Sequence, residues 1–154
     1  MREYIRVARL YMIVLAIFTV GRLLMGARGV PYERGHHVFS LVIMTLLASA
    51  FYGAFCRKWL GYTVTKAMGL GATLGLLCQV VVLVATVASY ALGAETYFVH
   101  PRAVMGPDAE GPIPFGQALV SRVGGAVINA ALNALAAAIG WVMGATLPEP
   151  AARS

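Results

Sequence analysis

Residues Ala67 to Leu92 read AMGLGATLGLLCQVVVLVATVASYAL, an apolar stretch without a charged side chain. A helix rises about 1.5 Å per residue, so this stretch exceeds a hydrocarbon core of about 30 Å and is predicted to tilt or protrude. Working outward, Val38 to Phe55 is a second uncharged run, ending at Cys56-Arg57-Lys58-Trp59. Val123 to Leu147 is another, stopped by Pro148 and Pro150, and its helix can begin near Phe115, just after Pro112 and Pro114. The first run, Leu10 to Val20, is too short alone, because a crossing needs roughly 20 residues. Extended through Gly21 and Arg22 to Ala27 it becomes long enough, with Arg22 near the membrane edge and its guanidinium snorkelling outward.

Arg2, Arg6 and Arg9 ahead of that run also suit a secretory signal. Met25-Gly26-Ala27 is a poor cleavage site, however, so a retained helix is expected. The predicted fold is all-α: a polytopic, four-transmembrane-helix bundle in one domain. Its helices cover about residues 5–27, 37–56, 66–92 and 116–147, with a long extracytoplasmic loop over about 93–115. That loop holds four of the prolines, and loops longer than about 12–15 residues are uncommon unless functional or disordered.

Composition agrees. Of 154 residues, 60% are hydrophobic and 12% charged. Soluble domains carry about 45–50% apolar and about 25% charged residues, so the excess calls for lipid as solvent. The net charge is +6, but the basic residues flank apolar runs instead of forming a soluble basic face, which argues against nucleic acid as a partner. Arg2, Arg6, Arg9, Arg57, Lys58, Lys66 and Arg153 fall on one side of the predicted membrane, against Arg22, Arg28, Arg34, Arg102 and Arg122 on the other. The positive-inside rule then places both termini in the cytoplasm. Trp59, Tyr62 and Trp141 are expected at the inner interface, and Tyr32, Tyr97 and Phe98 at the outer one. The preference for Ala, Gly and Arg suggests a bacterial inner membrane.

The helices carry polar stripes. At about 100° per residue, Arg122, Gly125, Asn129, Asn133, Ala136, Gly140 and Gly144 share one face of the fourth helix. Gly71, Gly75, Gln79, Thr86, Ser89 and Tyr90 align on the third, and Thr45, Ser49, Tyr52 and Cys56 on the second. A candidate intrabundle polar face thus consists of Gln79, Asn129, Asn133, Thr45 and Ser49, read first as interhelical hydrogen-bonding and second as the wall of a cavity. No Asp, Glu or Lys lies deep in a helix, which argues against a proton or cation pump.

Arg22, Arg122, Arg102 and His37 gather at the outer end as a candidate anion or lipid-headgroup site, since guanidinium matches phosphate oxygens in bidentate fashion. The competing reading is ordinary snorkelling with an ion pair to Glu33 or Glu95. His36, His37, His100, Glu95 and Asp108 offer metal-binding atoms, but neighbouring helical histidines diverge, so no metal, haem or other cofactor is expected. Cys56 and Cys78 form no CxxC pair and read as small packing residues. No nucleophile stands near a base, so no catalytic residues are assigned. The foremost expectation is a non-enzymatic accessory, scaffold or assembly subunit, in contact with the bilayer and with a membrane protein partner or a second copy. The alternative is a small transporter or a lipid- or anion-binding membrane protein.

Overall fold

The structure, a computed structural model, describes residues 2–148. Arg153 and Pro150, used above for orientation and for the helix stop, lie outside the described residues. The described chain is all-helical. Its elements are α1 (Arg2–Val7), α2 (Arg9–Ala27), α3 (Tyr32–Gly35), α4 (Leu41–Leu60), α5 (Val64–Ala91), α6 (Pro101–Val104) and α7 (Phe115–Met143), followed by a 3-10 turn, Gly144–Thr146. Four helices are long and apolar enough to cross a membrane: α2, α4, α5, and α7 with its terminal turn.

The second long helix starts later than its apolar pattern predicts. Phe39 has φ 51, a left-handed conformation that costs a bulky side chain energy and cannot propagate a helix. Ser40 follows as N-cap, its side chain accepting from the Ile43 amide. His36 and His37 therefore sit in the turn ahead of α4, not on its first turn. The Phe39 ring meets Phe18 edge-on at 5.5 Å and presses on Gly21, which fastens this turn to α2. At its other end α4 runs on to Leu60, where Arg57 and Lys58 suit the negative end of the helix dipole. Gly61, at φ 63, reverses the chain, its amide returning to the Cys56 carbonyl.

Helices α4, α5 and α7 form a tight unit because small residues let backbones touch. A methyl group at Gly140 would collide with the Ala50 carbonyl, and one at Gly53 with the Ala137 carbonyl. Gly71 and Gly75 face the Asn133 and Asn129 carbonyls in the same way, so the GxxxG pair of α5 is a true contact with α7. Helix α2 is held more loosely, with Tyr11 and Leu15 as its buried residues. The Tyr11 hydroxyl donates to the Leu74 carbonyl at 3.1 Å and lies 3.1 Å from Thr45 Oγ1, tying α2 to α5 and α4.

The two ends of the bundle are fastened differently. At the end bearing the termini, Trp141 Nε1 donates to the Tyr62 carbonyl at 2.7 Å, and the Arg57 guanidinium covers the Trp141 ring at 3.9 Å. Glu3 accepts from the Tyr62 hydroxyl and from Lys66, and these bonds hold its carboxyl below the usual range. At the opposite end the connection 92–114 folds back over the bundle. Tyr97 and Phe98, expected as interfacial aromatics, are buried within the protein as a plug at this end. The Tyr97 hydroxyl donates to the Val30 and Pro31 carbonyls, Thr86 Oγ1 to the Phe98 carbonyl, and Ser121 Oγ to the Val104 carbonyl. The connection is thus an ordered cap, with α6 inside it.

Candidate anion-binding cavity

The polar face divides into a packed part and an open part. Ser49 Oγ donates to Asn133 Oδ1 at 2.7 Å, bridging α4 and α7. Asn133 Nδ2 donates to the Asn129 carbonyl and to Asn129 Oδ1, and Asn129 Nδ2 donates to the Gly75 carbonyl of α5. Thr45 Oγ1 bonds the Leu41 carbonyl at 2.6 Å. Thr45, Ser49, Asn129 and Asn133 are all buried, among Leu74, Cys78 and Leu70. With partners found and no room left, these four act as glue between helices. Gln79, one turn of α5 nearer the cap, differs: it borders a cavity, where its amide occupies space that Gly125 leaves free.

That cavity, about 280 Å³, lies beneath the cap. Arg22 reaches it from α2, Arg102 from α6 and Arg122 from α7, with His36, His37 and Ser40 supplied by the turn before α4. All four residues of the anion site read from sequence therefore meet here. The wall contains three arginines and no carboxylate.

Each cation is held for its own reason. Arg22, expected to snorkel outward at the helix end, is engaged by protein groups there. Its Nη1 donates to the His36 carbonyl at 3.2 Å, and its guanidinium lies 5.3 Å from the Tyr97 ring centroid and 6.0 Å from that of Phe98. Aromatic faces and a carbonyl give it an inward partner that bare lipid lacks. Arg122 donates from Nη1 to the Ala103 carbonyl at 3.0 Å and from Nη2 to the Phe98 carbonyl at 2.8 Å, while its Nε is buried with no partner. Arg22 and Arg122 also act on one another electrostatically, as like charges sharing one chamber. Arg102 is the exception, since its Nη1 lies 3.0 Å from Glu33 Oε1 in an exposed ion pair. The pairing foreseen for the helix-end arginines thus falls to Arg102.

An aromatic stack roofs one side. Tyr32 lies parallel to His100 at 4.1 Å and near-parallel to His36 at 5.4 Å, and the His36 and His37 rings are 3.7 Å apart. Burial lowers the pKa of His100. His36 Nδ1 faces the Tyr32 and Glu33 carbonyls, so it carries the hydrogen. Among the described residues no three His, Cys, Asp or Glu side chains come together as metal ligands. Cys56 and Cys78 are free and buried.

Sequence reasoning missed Phe39 and the carbonyls of His36, Phe98 and Ala103, which aim the arginines, and read Tyr97 and Phe98 as interfacial aromatics alone. The left-handed residue has no composition signal, and the carbonyls belong to no side-chain pattern. No protein-family model matches the chain, and no curated protein or solved structure proves similar to it.

Proposed function

We propose that this chain is a polytopic, non-enzymatic membrane protein that binds a small anionic group, phosphate or carboxylate, in the cavity beneath its cap. One observation carries the reading: three arginines and no carboxylate line a single half-enclosed chamber. Arg102 is paired with Glu33, but Arg22 and Arg122 repel as like charges in one chamber, and an anion that accepts hydrogen bonds from their forks offsets that cost. The volume, about 280 Å³, lies just below the range of about 300 to 1,000 Å³ usual for ligand sites, and suits a compact oxyanion over a large cofactor. The filled centre of the bundle favours binding over passage through it. Arg6, Arg9, Arg57, Lys58 and Lys66 gather at the end opposite the cavity, in keeping with cytoplasmic termini and an extracytoplasmic site in a bacterial inner membrane.

The test is thermal unfolding of the purified full chain in a neutral detergent with phosphate, sulfate or chloride at equal ionic strength. Phosphate and sulfate are expected to raise the midpoint, by an amount equivalent to about 2.7 kcal/mol at a hundredfold excess over Kd. The Arg22→Gln/Arg122→Gln double variant should lose that response. An equal response to chloride, or one retained by the double variant, overturns the reading.

A further inference from the structure

Resting on that reading, we propose that the anion is the phosphate of a membrane lipid, and that one acyl chain of this lipid lies in a groove between α2 and α4. His37 and Ser40 stand on the wall of the cationic cavity. Both residues also border an apolar hollow of about 180 Å³ formed with Phe18, Met44 and Leu47. Met44 and Leu47 in turn border a second hollow of about 290 Å³, reaching Val14 and Phe51. Neighbouring spaces thus share wall residues, His37 and Ser40 at one junction and Met44 and Leu47 at the next.

Length and charge favour a lipid over a free anion. From Ser40 to Phe51 the groove follows α4 for about 16 Å at 1.5 Å per residue. Half of a hydrocarbon core of about 30 Å is about 15 Å, the depth one acyl chain occupies. The polarity changes once along this path, from arginine to hydrocarbon, as it does along an anionic lipid. A free phosphate has no use for the groove. An apolar partner helix filling the same groove would bring no counter-charge to Arg22 and Arg122.

The test compares water-soluble ligands on the full chain held in a non-ionic amphipol, which removes competing detergent. The ligands are glycerol phosphate, dihexanoyl phosphatidic acid and dihexanoyl phosphatidylcholine, with inorganic phosphate as reference. Dihexanoyl phosphatidic acid is expected to bind about tenfold tighter than glycerol phosphate, and phosphatidylcholine more weakly than phosphatidic acid. Leu47 is 68% exposed, so Leu47→Trp fills the groove without entering the packed core. It should cancel the advantage of phosphatidic acid while leaving inorganic phosphate unchanged. Val127→Trp, on an exposed face of α7, should alter neither. If phosphate binds and phosphatidic acid binds no tighter than glycerol phosphate, the lipid inference falls and the anion site stands. If none of the phosphates binds, both fall. A Leu47→Trp protein that keeps the full lipid advantage, or that loses only self-association, overturns the groove assignment. The wild-type comparison decides the matter even if that variant does not fold.

Discussion

Arg22, near the end of α2, and Arg122, near the start of α7, face one cavity with no carboxylate on its wall. The pair is placed by antiparallel geometry: α2 arrives at the cap where α7 departs from it. Its orientation is a second matter, settled by the His36, Phe98 and Ala103 carbonyls that take the guanidinium hydrogens.

The third arginine of the wall is already paired, which sets the ranking of the three. Glu33→Gln should free Arg102 and strengthen phosphate binding, but by no more than about fivefold, because exposed ion pairs contribute only about 0.2–1 kcal/mol. Arg102→Gln should weaken binding less than Arg22→Gln or Arg122→Gln. Isothermal titration with phosphate measures all four; a weaker Glu33→Gln protein would contradict the ranking.

The hydrogen bond between Ser49 and Asn133 predicts unequal losses. Ser49→Ala should cost about 0.6 kcal/mol, the mean for such bonds in membrane bundles. Asn133→Ala leaves both Ser49 Oγ without its acceptor and Asn129 Oδ1 without its donor and should cost about 2 kcal/mol. Neither change should alter phosphate affinity by more than about twofold, since both residues lie outside the cavity. Unfolding curves and a double-mutant cycle supply the numbers.

Two glycines of α7 should respond in opposite directions. At Gly140 a methyl group meets the Ala50 backbone, so Gly140→Ala should destabilise by about 2 kcal/mol through overpacking. At Gly124 nothing lies within 4 Å, and Gly124→Ala should stabilise by about 0.5–1 kcal/mol by restricting the unfolded chain. Equal effects at the two positions would mean that α4 and α7 do not approach as described.

The cap should loosen in acid. His100 is stacked on Tyr32 with its Nδ1 buried and unpartnered, and burial lowers its pKa below 6.5, with Glu33 opposing and Arg102 assisting. A depressed value means the folded state favours the neutral ring. That contribution is fully present above pH 6.5 and is lost as pH falls through the folded value. Protection factors over residues 97–104, with exchange rates corrected for the slower intrinsic exchange in acid, should therefore fall between pH 7.5 and pH 5, and less so in His100→Phe. An unchanged profile in that variant would assign the effect to another group.

The long helices were legible because uncharged runs of this length have few other uses, and the stripe Thr45, Ser49, Asn129, Asn133 did converge, through small residues at helical spacing. Gln79, assigned to the same polar face from its stripe on α5, borders the cavity instead, a difference set by where the cap closes and not by its own sequence neighbours. His36 and His37 seemed to open α4 because nothing in Val38-Phe39-Ser40 signals a left-handed phenylalanine. Tyr11 reads as one more apolar-run residue, and only the approach of Thr45 and Leu74 turns its hydroxyl into an interhelical tie.

Arg122 spends two of its five N–H donors on cap carbonyls and keeps the rest, including the buried Nε. A free arginine side chain loses about 2 kcal/mol of rotamer entropy when it is immobilised. Here folding has already done the immobilising, so the proposed oxyanion would meet a fork whose plane is set. It follows that affinity can be lowered from a distance: loosening the backbone between Phe98 and Ala103 would let the fork swing, although every side chain of the wall stayed in place.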